Sequence, residues 1–328
     1  MKKLFIFLMC LALLCVGLAG CGEAEELTTV ALNEVTHSVF YAPLYAAMEL
    51  GYFEEEGIAI ELTNGGGADK VMTAILSGQS DIGLAGPESC IYVLQEGRED
   101  HPLVFAQLTK RDGSFLVGRE DSAFDWNDLR GKTIIGGRKG GVPEMTLEYV
   151  MRQNGVIPHE DAVVDTSVQF NMMAGAFTGG NGDFVALFEP TATEVERSGK
   201  GHILCSIGEE SGEIPYTAFF AAKSFMSENS ELIQLFTNAI ARAQKWVQET
   251  DAAEIARVIA PQFPDTDLDI LTAVTERHKN IDAWNNEPFM KKEAFDRLQT
   301  VMETAGELSE WVDYNELVDM SYAEKAAE

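Results

Sequence analysis

Basic residues are scarce in this chain of 328 residues. It has 24 lysines and arginines against 53 aspartates and glutamates, which gives a formal net charge of −29. A surface of this sign repels nucleic-acid phosphates over most of its area, so we expect no nucleic-acid partner. A small anion in a local pocket is not excluded. Hydrophobic residues at 46% and aromatic residues at 9% are ordinary for a folded protein, and the length allows two domains with cores.

Cysteine and histidine are also few, with five of each. The histidines are scattered along the sequence, and none combines with cysteine at a zinc-type spacing, so the pattern predicts neither a metal site nor a cofactor. Cys90 and Cys205 lie in apolar segments that are typical of buried free thiols, and a disulfide between them is the alternative.

Catalytic motifs are missing as well. The sequence has no Gly-x-Ser-x-Gly elbow, no paired His-Glu helix motif and no P-loop, and its glycines do not form a full dinucleotide-binding fingerprint. Carboxylates are so abundant that pairing any two as acid and base carries no weight. We therefore predict no catalytic residues and no enzyme activity.

The N-terminus carries an export signal. Met1-Lys2-Lys3 is basic, Leu4 to Ala19 is an apolar run, and the run ends in Leu18-Ala19-Gly20-Cys21. Small residues directly before a cysteine are typical of the bacterial lipobox, in which the signal is cut and the cysteine sulfur is lipidated. We predict a signal peptide at 1–20, a lipidated tether at 21–26 and anchoring to the outer face of the cell membrane through Cys21. An ordinary signal with an incidental cysteine is the alternative.

Strand and helix patterns alternate through the middle of the chain. One series runs from Leu27 to Leu108, a second begins at Ser114, and the chain is mostly helical after Ser227. Such alternation is typical of βαβ units and a largely parallel sheet. We predict an α/β fold with a first lobe that begins at 27–112, a second lobe at 113–216, and a return to the first lobe with C-terminal helices at 217–328.

Glycine-rich turns precede three of the predicted helices. They are Asn64 to Ala68, Gly86 to Ser89 and Gly136 to Gly141. Such turns free backbone N–H groups and aim a helix dipole, and each follows the carboxyl end of a strand, where ligands bind in open α/β sheets. Together they predict a binding cleft, although any one of them can simply turn a strand into a helix.

Four segments, in order along the chain, resemble a known family. Ala46 to Leu62, Ile75 to Gly83, Asp128 to Ile134 and Gly182 to Pro190 are similar to motifs of solute-binding proteins of ABC importers. The branch is the one that holds binders of aliphatic sulfonates, taurine, nitrate and the pyrimidine precursor of thiamine. The resemblance implies a type II periplasmic-binding-protein fold: two lobes, each a mostly parallel sheet flanked by helices, with a helical C-terminal tail packed on the first lobe.

The resemblance also implies a function and partners. A monomeric receptor would close its lobes on a small molecule and deliver it to a membrane permease driven by an ATPase. A nitrogen heterocycle of the pyrimidine type is the favoured ligand, because Glu189 in the pocket would oppose a sulfonate or nitrate anion. That anion remains the alternative ligand. A pyrimidine-precursor synthase and a sensor that does not transport are the alternatives from other classes.

The family's cleft, carried over position by position, gives the candidate ligand-binding residues. His37 has an alternative as a loop histidine, Tyr41 as a helix-packing residue and Trp284 as a core residue. Lys139 is expected to be exposed to solvent and is not included. The candidates are Thr36, His37, Ser38, Tyr41, Gly66, Gly67, Ala68, Gly86, Pro87, Glu88, Ser89, Arg138, Gly140, Gly141, Phe188, Glu189 and Trp284.

Overall fold

Two five-stranded sheets organise the molecule. The computed structural model describes residues 27–327, so the predicted signal peptide and Cys21 lie outside the described residues. The strands are β1 (Thr28–Glu34), β2 (Ile58–Asn64), β3 (Ile82–Ala85), β4 (Pro102–Thr109), β5 (Ser114–Gly118), β6 (Thr133–Ile135), β7 (Val163–Asp165), β8 (Phe184–Phe188), β9 (His202–Ser206) and β10 (Thr217–Ala222). The first sheet has the order β2-β1-β3-β10-β4 and the second has the order β7-β6-β8-β5-β9. We call the two halves built on these sheets the first and the second lobe.

Each sheet contains one reversed strand. In the first sheet β1 is parallel to β2 and β3, whereas β10 is antiparallel to β3 and β4. In the second sheet β6 is parallel to β7 and β8, whereas β5 is antiparallel to β8 and β9. Four of five strands in each sheet therefore run in the same direction. This confirms the α/β fold with mostly parallel sheets, and the reversed strand is in each case the first one after the chain crosses between the lobes.

The two crossings lie side by side. The chain leaves the first sheet at Thr109 and enters the second at Ser114, and it re-enters the first sheet at Thr217. The Thr109 and Thr217 hydroxyls are 2.5 Å apart, and the Ile214 N–H donates to the Lys110 carbonyl at 2.9 Å. Paired crossings of this kind connect the lobes along one edge and leave a cleft between them.

The α-helices cover the sheets. They are α1 (Ala42–Glu49), α2 (Tyr52–Glu55), α3 (Ala68–Leu76), α4 (Glu88–Gln95), α5 (Val142–Gln153), α6 (Met173–Thr178), α7 (Thr191–Arg197), α8 (Ile207–Ser211), α9 (Lys223–Glu228), α10 (Ser230–Glu249), α11 (Ala252–Ile259), α12 (Leu268–Asn280), α13 (Lys292–Thr304), α14 (Tyr314–Leu317) and α15 (Ser321–Ala326). Four short 3-10 helices lie at Val39–Tyr41, Trp126–Leu129, Phe170–Met172 and Ala260–Gln262. No helix within residues 27–327 has the length and apolar character needed to cross a bilayer.

The C-terminal helices pack mainly on the first lobe. Helices α10 and α11 contact α1, and the buried face of α10 includes Phe236, Ala239, Ile240 and Ala243, which repeat at the spacing of one helix face. Phe236 is the centre of an aromatic cluster with other phenylalanines of the first lobe. Burial of one such side chain stabilises the fold by about 2–3 kcal/mol. Helix α13 also contacts α5 of the second lobe, so the tail bridges both lobes to a degree that the sequence pattern does not predict.

Candidate functional site

A cavity of about 330 Å³ lies between the lobes, where the carboxyl ends of the strands meet. Its first-lobe wall follows β1, β2 and β3 and includes the start of β10, and its second-lobe wall follows β6, β7 and β8. The lining residues are Val35, Thr36, Tyr41, Gly66, Gly67, Ala68, Asp69, Lys70, Gly86, Glu88, Gly137, Arg138, Gly141, Val142, Pro143, Thr166, Ser167, Val168, Gln169, Phe170, Phe188, Tyr216 and Thr217. This is the usual ligand position in open α/β sheets.

More than half of the sequence-predicted candidates line this cavity. They are Thr36, Tyr41, Gly66, Gly67, Ala68, Gly86, Glu88, Arg138, Gly141 and Phe188. All three glycine-rich turns therefore contribute to one space. Gly66 and Gly67 have φ angles of 70° and 157°, which side-chain-bearing residues rarely adopt. The backbone chemistry predicted for these turns is thus placed where a ligand can reach it.

Glu88 is the charged group buried at this cavity. Glu88 is the first residue of helix α4 and is only 2% exposed, and its Oε2 atom has no hydrogen-bond partner among the described residues. Burial raises the pKa of Glu88 to about 7, and backbone hydrogen bonds and the charge of Arg138 offset only part of that effect. Glycine at position 86 leaves room for this carboxylate, because a Cβ atom there would overlap it. The Oε2 atom therefore keeps hydrogen-bonding capacity that a ligand in the cavity can use.

Arg138 lies near a carboxylate of the other lobe. Its Nε atom lies 4.0 Å from Oδ1 of Asp69, across the cleft, and about half of its side chain is exposed. Lys139 forms an exposed ion pair with Glu307 at 3.3 Å, in accord with its expected place on the surface. Exposed pairs of this kind are weak, so both basic residues of this turn have a nearby carboxylate but neither is fixed by it.

Aromatic rings form an apolar wall of the cavity. The ring of Phe188 packs in a tilted arrangement against Phe170 and Tyr216, with centroid distances of 5.5 Å and 6.1 Å. Burial raises the pKa of both Tyr41 and Tyr216 well above the ordinary value, so both hydroxyls stay protonated as neutral donors. The Asp112 carboxylate lies near the Tyr216 hydroxyl, and its charge adds to the rise in the pKa of Tyr216. A planar ligand in this space can stack on the rings and accept from the hydroxyls.

Tyr216 and Phe170 were not among the candidates. Tyr216 lies in the second crossing segment, which the sequence pattern locates, so its position between the lobes was the available signal. Asp112 lies behind Tyr216. Burial raises the pKa of Asp112 to about 7, although the Ser114 N–H donates to its carboxylate at 2.6 Å. Phe170 follows β7, a strand of three residues that leaves no readable pattern.

Glu189 is placed differently from the expectation. Its carboxylate accepts hydrogen bonds from the Thr193 N–H and hydroxyl and forms an ion pair with Arg277 of α12. Ser38 donates to the Glu189 carbonyl at 2.6 Å, and Ser38 also caps the 3-10 helix that follows it. Glu189 therefore does not line the cavity. Its charge is matched by a first-lobe arginine, and the residue joins the two lobes.

A second cavity of about 260 Å³ continues from the first along the cleft. The two share Thr36, Phe170 and Phe188, and the second also reaches His37, Ser38 and Glu189. The His37 ring lies 2.6 Å from Glu34 and 2.8 Å from the Gln262 carbonyl. Burial lowers the pKa of His37, but the hydrogen bond and charge of Glu34 outweigh it and leave the pKa raised.

The remaining candidates have structural roles. Trp284 is 5% exposed and donates from its indole N–H to the Phe40 carbonyl at 2.9 Å. It therefore packs in the core, which is the alternative role given above. Ser89 donates to the Gly86 carbonyl, and Pro87 begins the turn into α4. Gly140 donates to Glu144 and accepts from Tyr92, contacts that keep it behind the cavity wall.

Neither thiol takes part in this site. Cys90 is buried and Cys205 is half-buried, and both are free thiols in the structure. Within residues 27–327, one group of histidine and carboxylate side chains is close enough to hold a metal ion, and it consists of Glu144, Glu148 and His159, none of which lines the cavity.

Comparison with known proteins assigns the family. Residues 39–253 match the model of the family described as NMT1/THI5 like. A candidate binding protein of Bacillus subtilis strain 168, YtlA, is 45% identical over 310 residues, which are 94% of this chain and 93% of YtlA. The chain belongs to the NMT1/THI5-like family. The predicted resemblance is thereby confirmed at the level of family and fold.

Two further relatives of this NMT1/THI5-like protein bear on its fold and its class. The 4-amino-5-hydroxymethyl-2-methylpyrimidine phosphate synthase of Aspergillus parasiticus is 25% identical over 228 residues, 65% of each chain. The periplasmic nitrate-binding protein NrtA of Synechocystis PCC 6803 superposes with a TM-score of 0.74 at 16% identity, covering 93% of this chain and 89% of NrtA. The second likeness shows that the two lobes have the fold of a periplasmic binding protein.

Proposed function

We propose that this chain is the extracytoplasmic solute-binding lipoprotein of an ABC importer and that its ligand is a small nitrogen heterocycle with N–H donors. The observation that carries the ligand class is the buried carboxyl group of Glu88, whose Oε2 atom has no hydrogen-bond partner among the described residues, in a cavity walled by aromatic rings. A ring amine or amidine donates to such a carboxylate, and the rings stack on its faces. The volume of about 330 Å³ is at the small end of the range for small-molecule sites.

The geometry revises the reason for this preference. Glu189 is neutralised by Arg277 outside the cavity, and Glu88 takes the part that the sequence analysis gave to Glu189. The likeness to a pyrimidine phosphate synthase supports a pyrimidine ring among the possible heterocycles. Delivery to a permease and a monomeric state are parts of the proposal that follow from the family resemblance. Lipidation at Cys21 is a further part, and it follows from the lipobox in the sequence.

An anion of the sulfonate or nitrate kind is the second candidate ligand, because the fold is shared with a nitrate-binding protein and because Lys70 and Arg138 line the cavity. Asp69 lies 4.0 Å from Arg138 and competes with an anion for it, and an ionised Glu88 repels an anion. These two carboxylates favour the heterocycle.

A thermal-shift panel tests the ligand class. Aminopyrimidines and related heterocycles, alkanesulfonates and nitrate are each added to the purified protein, and a ligand at about 100 times its Kd stabilises the fold by about 2.7 kcal/mol. We expect stabilisation by a heterocycle and its loss in Glu88→Gln, since a hydrogen bond to a charged group is worth about 1.5–3 kcal/mol, or about 10- to 100-fold in Kd. Stabilisation by sulfonates or nitrate alone would contradict the proposal.

The same panel separates binding from turnover. Mass spectrometry of the heterocycle after prolonged incubation is expected to recover it unchanged. Conversion to a new product would favour the synthase-like alternative. Uptake of the labelled heterocycle by cells that lack the gene then separates import, in which uptake falls, from sensing, in which uptake is unaffected.

A further inference from the structure

Two buried carboxylates and a histidine converge at helix α5 of the second lobe. Glu144 and Glu148 lie one turn apart on α5, each only 3% exposed, and His159 comes from the loop between α5 and β7. One ligand atom from each residue lies within 4.8 Å of the other two, and His159 Nε2 is 2.7 Å from Glu148 Oε1. The three residues therefore offer one imidazole nitrogen and two carboxylate oxygens to a common point.

The positive groups of this cluster all lie on one of its two carboxylates. Arg152 lies 3.3 Å from one oxygen of Glu148, and His159 lies 2.7 Å from the other. Among residues 27–327, no lysine, arginine or histidine forms an ion pair with Glu144. Two carboxylates held this close need either a shared proton or a cation between them.

The loop that carries His159 is held in place before any ion binds. The His159 N–H donates to the Ala162 carbonyl at 2.8 Å, and the Ile157 N–H donates to the Asp161 carboxylate at 2.8 Å. A β-bridge between Pro158 and Ala162 closes the loop. The imidazole therefore belongs to a tight turn, so a ligand that binds it does not have to order a flexible segment.

We propose that Glu144, Glu148 and His159 form a binding site for a divalent transition-metal ion of the zinc type, with water in the fourth position. One imidazole and two carboxylates with an open position is a donor set that zinc accepts, whereas magnesium and calcium prefer oxygen ligands alone. Tetrahedral ligands at about 2.1 Å from zinc lie about 3.4 Å from one another. The donor atoms of the cluster lie within 4.8 Å of one another, and the pair formed by His159 and Glu148 is 2.7 Å apart, so their separations bracket this spacing.

The position of the site connects it to the ligand cavity. The Gly140 N–H donates to Glu144 Oε2 at 3.1 Å, and the neighbouring residues Arg138 and Gly141 line the cavity. An ion at this point would fix the carboxylate that supports this turn. The site is not recognisable in the sequence, because the spacing of four and then eleven residues matches no common zinc motif.

Zinc binding to the purified, untagged and chelator-treated protein tests the proposal without any organic ligand. Isothermal titration with Zn²⁺ is expected to give one site per chain, and Co²⁺ in its place is expected to give the visible absorption of a four-coordinate ion. His159→Asn and Glu148→Gln should each weaken binding at least about 100-fold, because loss of even an outer-shell partner costs 10- to 100-fold. His202→Asn in the same lobe is the matched control and should leave the affinity unchanged.

Equal zinc affinity in the wild type and the three variants, or no zinc binding to the wild type, would overturn the proposal. A wild type that binds no zinc would indicate that the two carboxylates share a proton instead. Glu144→Gln replaces Glu148→Gln if the latter unfolds at lower temperature by circular dichroism. The result is independent of the heterocycle panel, since a failure there leaves the zinc stoichiometry untouched.

Discussion

Replacing Glu88 by glutamine is expected to stabilise the ligand-free protein, and the gain should grow with pH. The pKa of Glu88 rises from the ordinary 4.5 to about 7, because burial penalises the charged form. A pKa that is higher in the folded state means that the folded protein holds the proton more tightly. The contribution of this group to stability is therefore complete below about pH 4.5 and is lost as the pH rises to about 7.

The size of the effect follows from the two pKa values. Each pH unit between them is worth about 1.4 kcal/mol, so the wild type loses about 3 kcal/mol from this group between about pH 4.5 and pH 8.5. Glutamine has nearly the same shape and no charge, and so it avoids this loss. We expect the variant to be close to the wild type in stability at the lower pH and about 3 kcal/mol more stable at the higher pH.

Urea unfolding followed by tryptophan fluorescence at the two pH values measures the difference. Subtracting the wild type cancels the contributions of Asp112 and Glu144, whose pKa values are also raised to about 7. Glu189→Gln is the matched control, because this buried glutamate is bonded to Arg277 and Thr193. It should lower the free energy of unfolding by about 1.5–3 kcal/mol. A Glu88→Gln difference that does not change with pH would refute the reasoning.

Two further substitutions test how the lobes are joined, each by urea unfolding against a control. Arg277→Gln leaves Glu189 buried without its cation and should lower the free energy of unfolding by about 3 kcal/mol. Arg257→Gln removes an exposed ion pair and should lower it by less than about 1 kcal/mol. Equal losses in the two variants would contradict the role of the Arg277–Glu189 ion pair. Gly208→Ala places a Cβ atom against the backbone of the first crossing and should cost about 3 kcal/mol, whereas Gly175→Ala in helix α6 has open space and should gain about 0.5–1 kcal/mol. An unchanged free energy of unfolding in Gly208→Ala would contradict this, because it would mean that the backbone at the first crossing moves aside without cost.

Much of the fold follows from local patterns. Alternating strands and helices predict two α/β lobes, and the apolar stripe of α10 predicts the face that packs on the first lobe. Strands β7 and β9 escape prediction because one has three residues and the other is only half-buried, so neither has a clear apolar pattern. The reversed direction of β5 and β10 escapes as well. Direction depends on which edge of which sheet a strand joins, and this is a long-range property.

The candidate site divides along the same line. Gly66 and Gly67 were recognisable because a tight turn before a helix needs glycine at positive φ, and that need is local. Trp284 was ambiguous because its indole fits a cavity wall or a core equally well. Its place was decided by the Phe40 carbonyl, 244 residues away in the chain, which accepts the indole N–H. Backbone chemistry was therefore easier to locate than side-chain roles.

The two glutamates show why the ligand class could not be derived from the sequence alone. Glu88 and Glu189 both follow the carboxyl end of a strand and stand next to a proline, so their local sequences assign them the same role. What separates them is Arg277, 88 residues beyond Glu189, which reaches across from α12 and matches one of the two charges. A buried carboxylate with such a partner holds the fold together, and one without it lies at an energetic cost that a ligand can relieve. The position of one arginine thus decides which glutamate is available to bind.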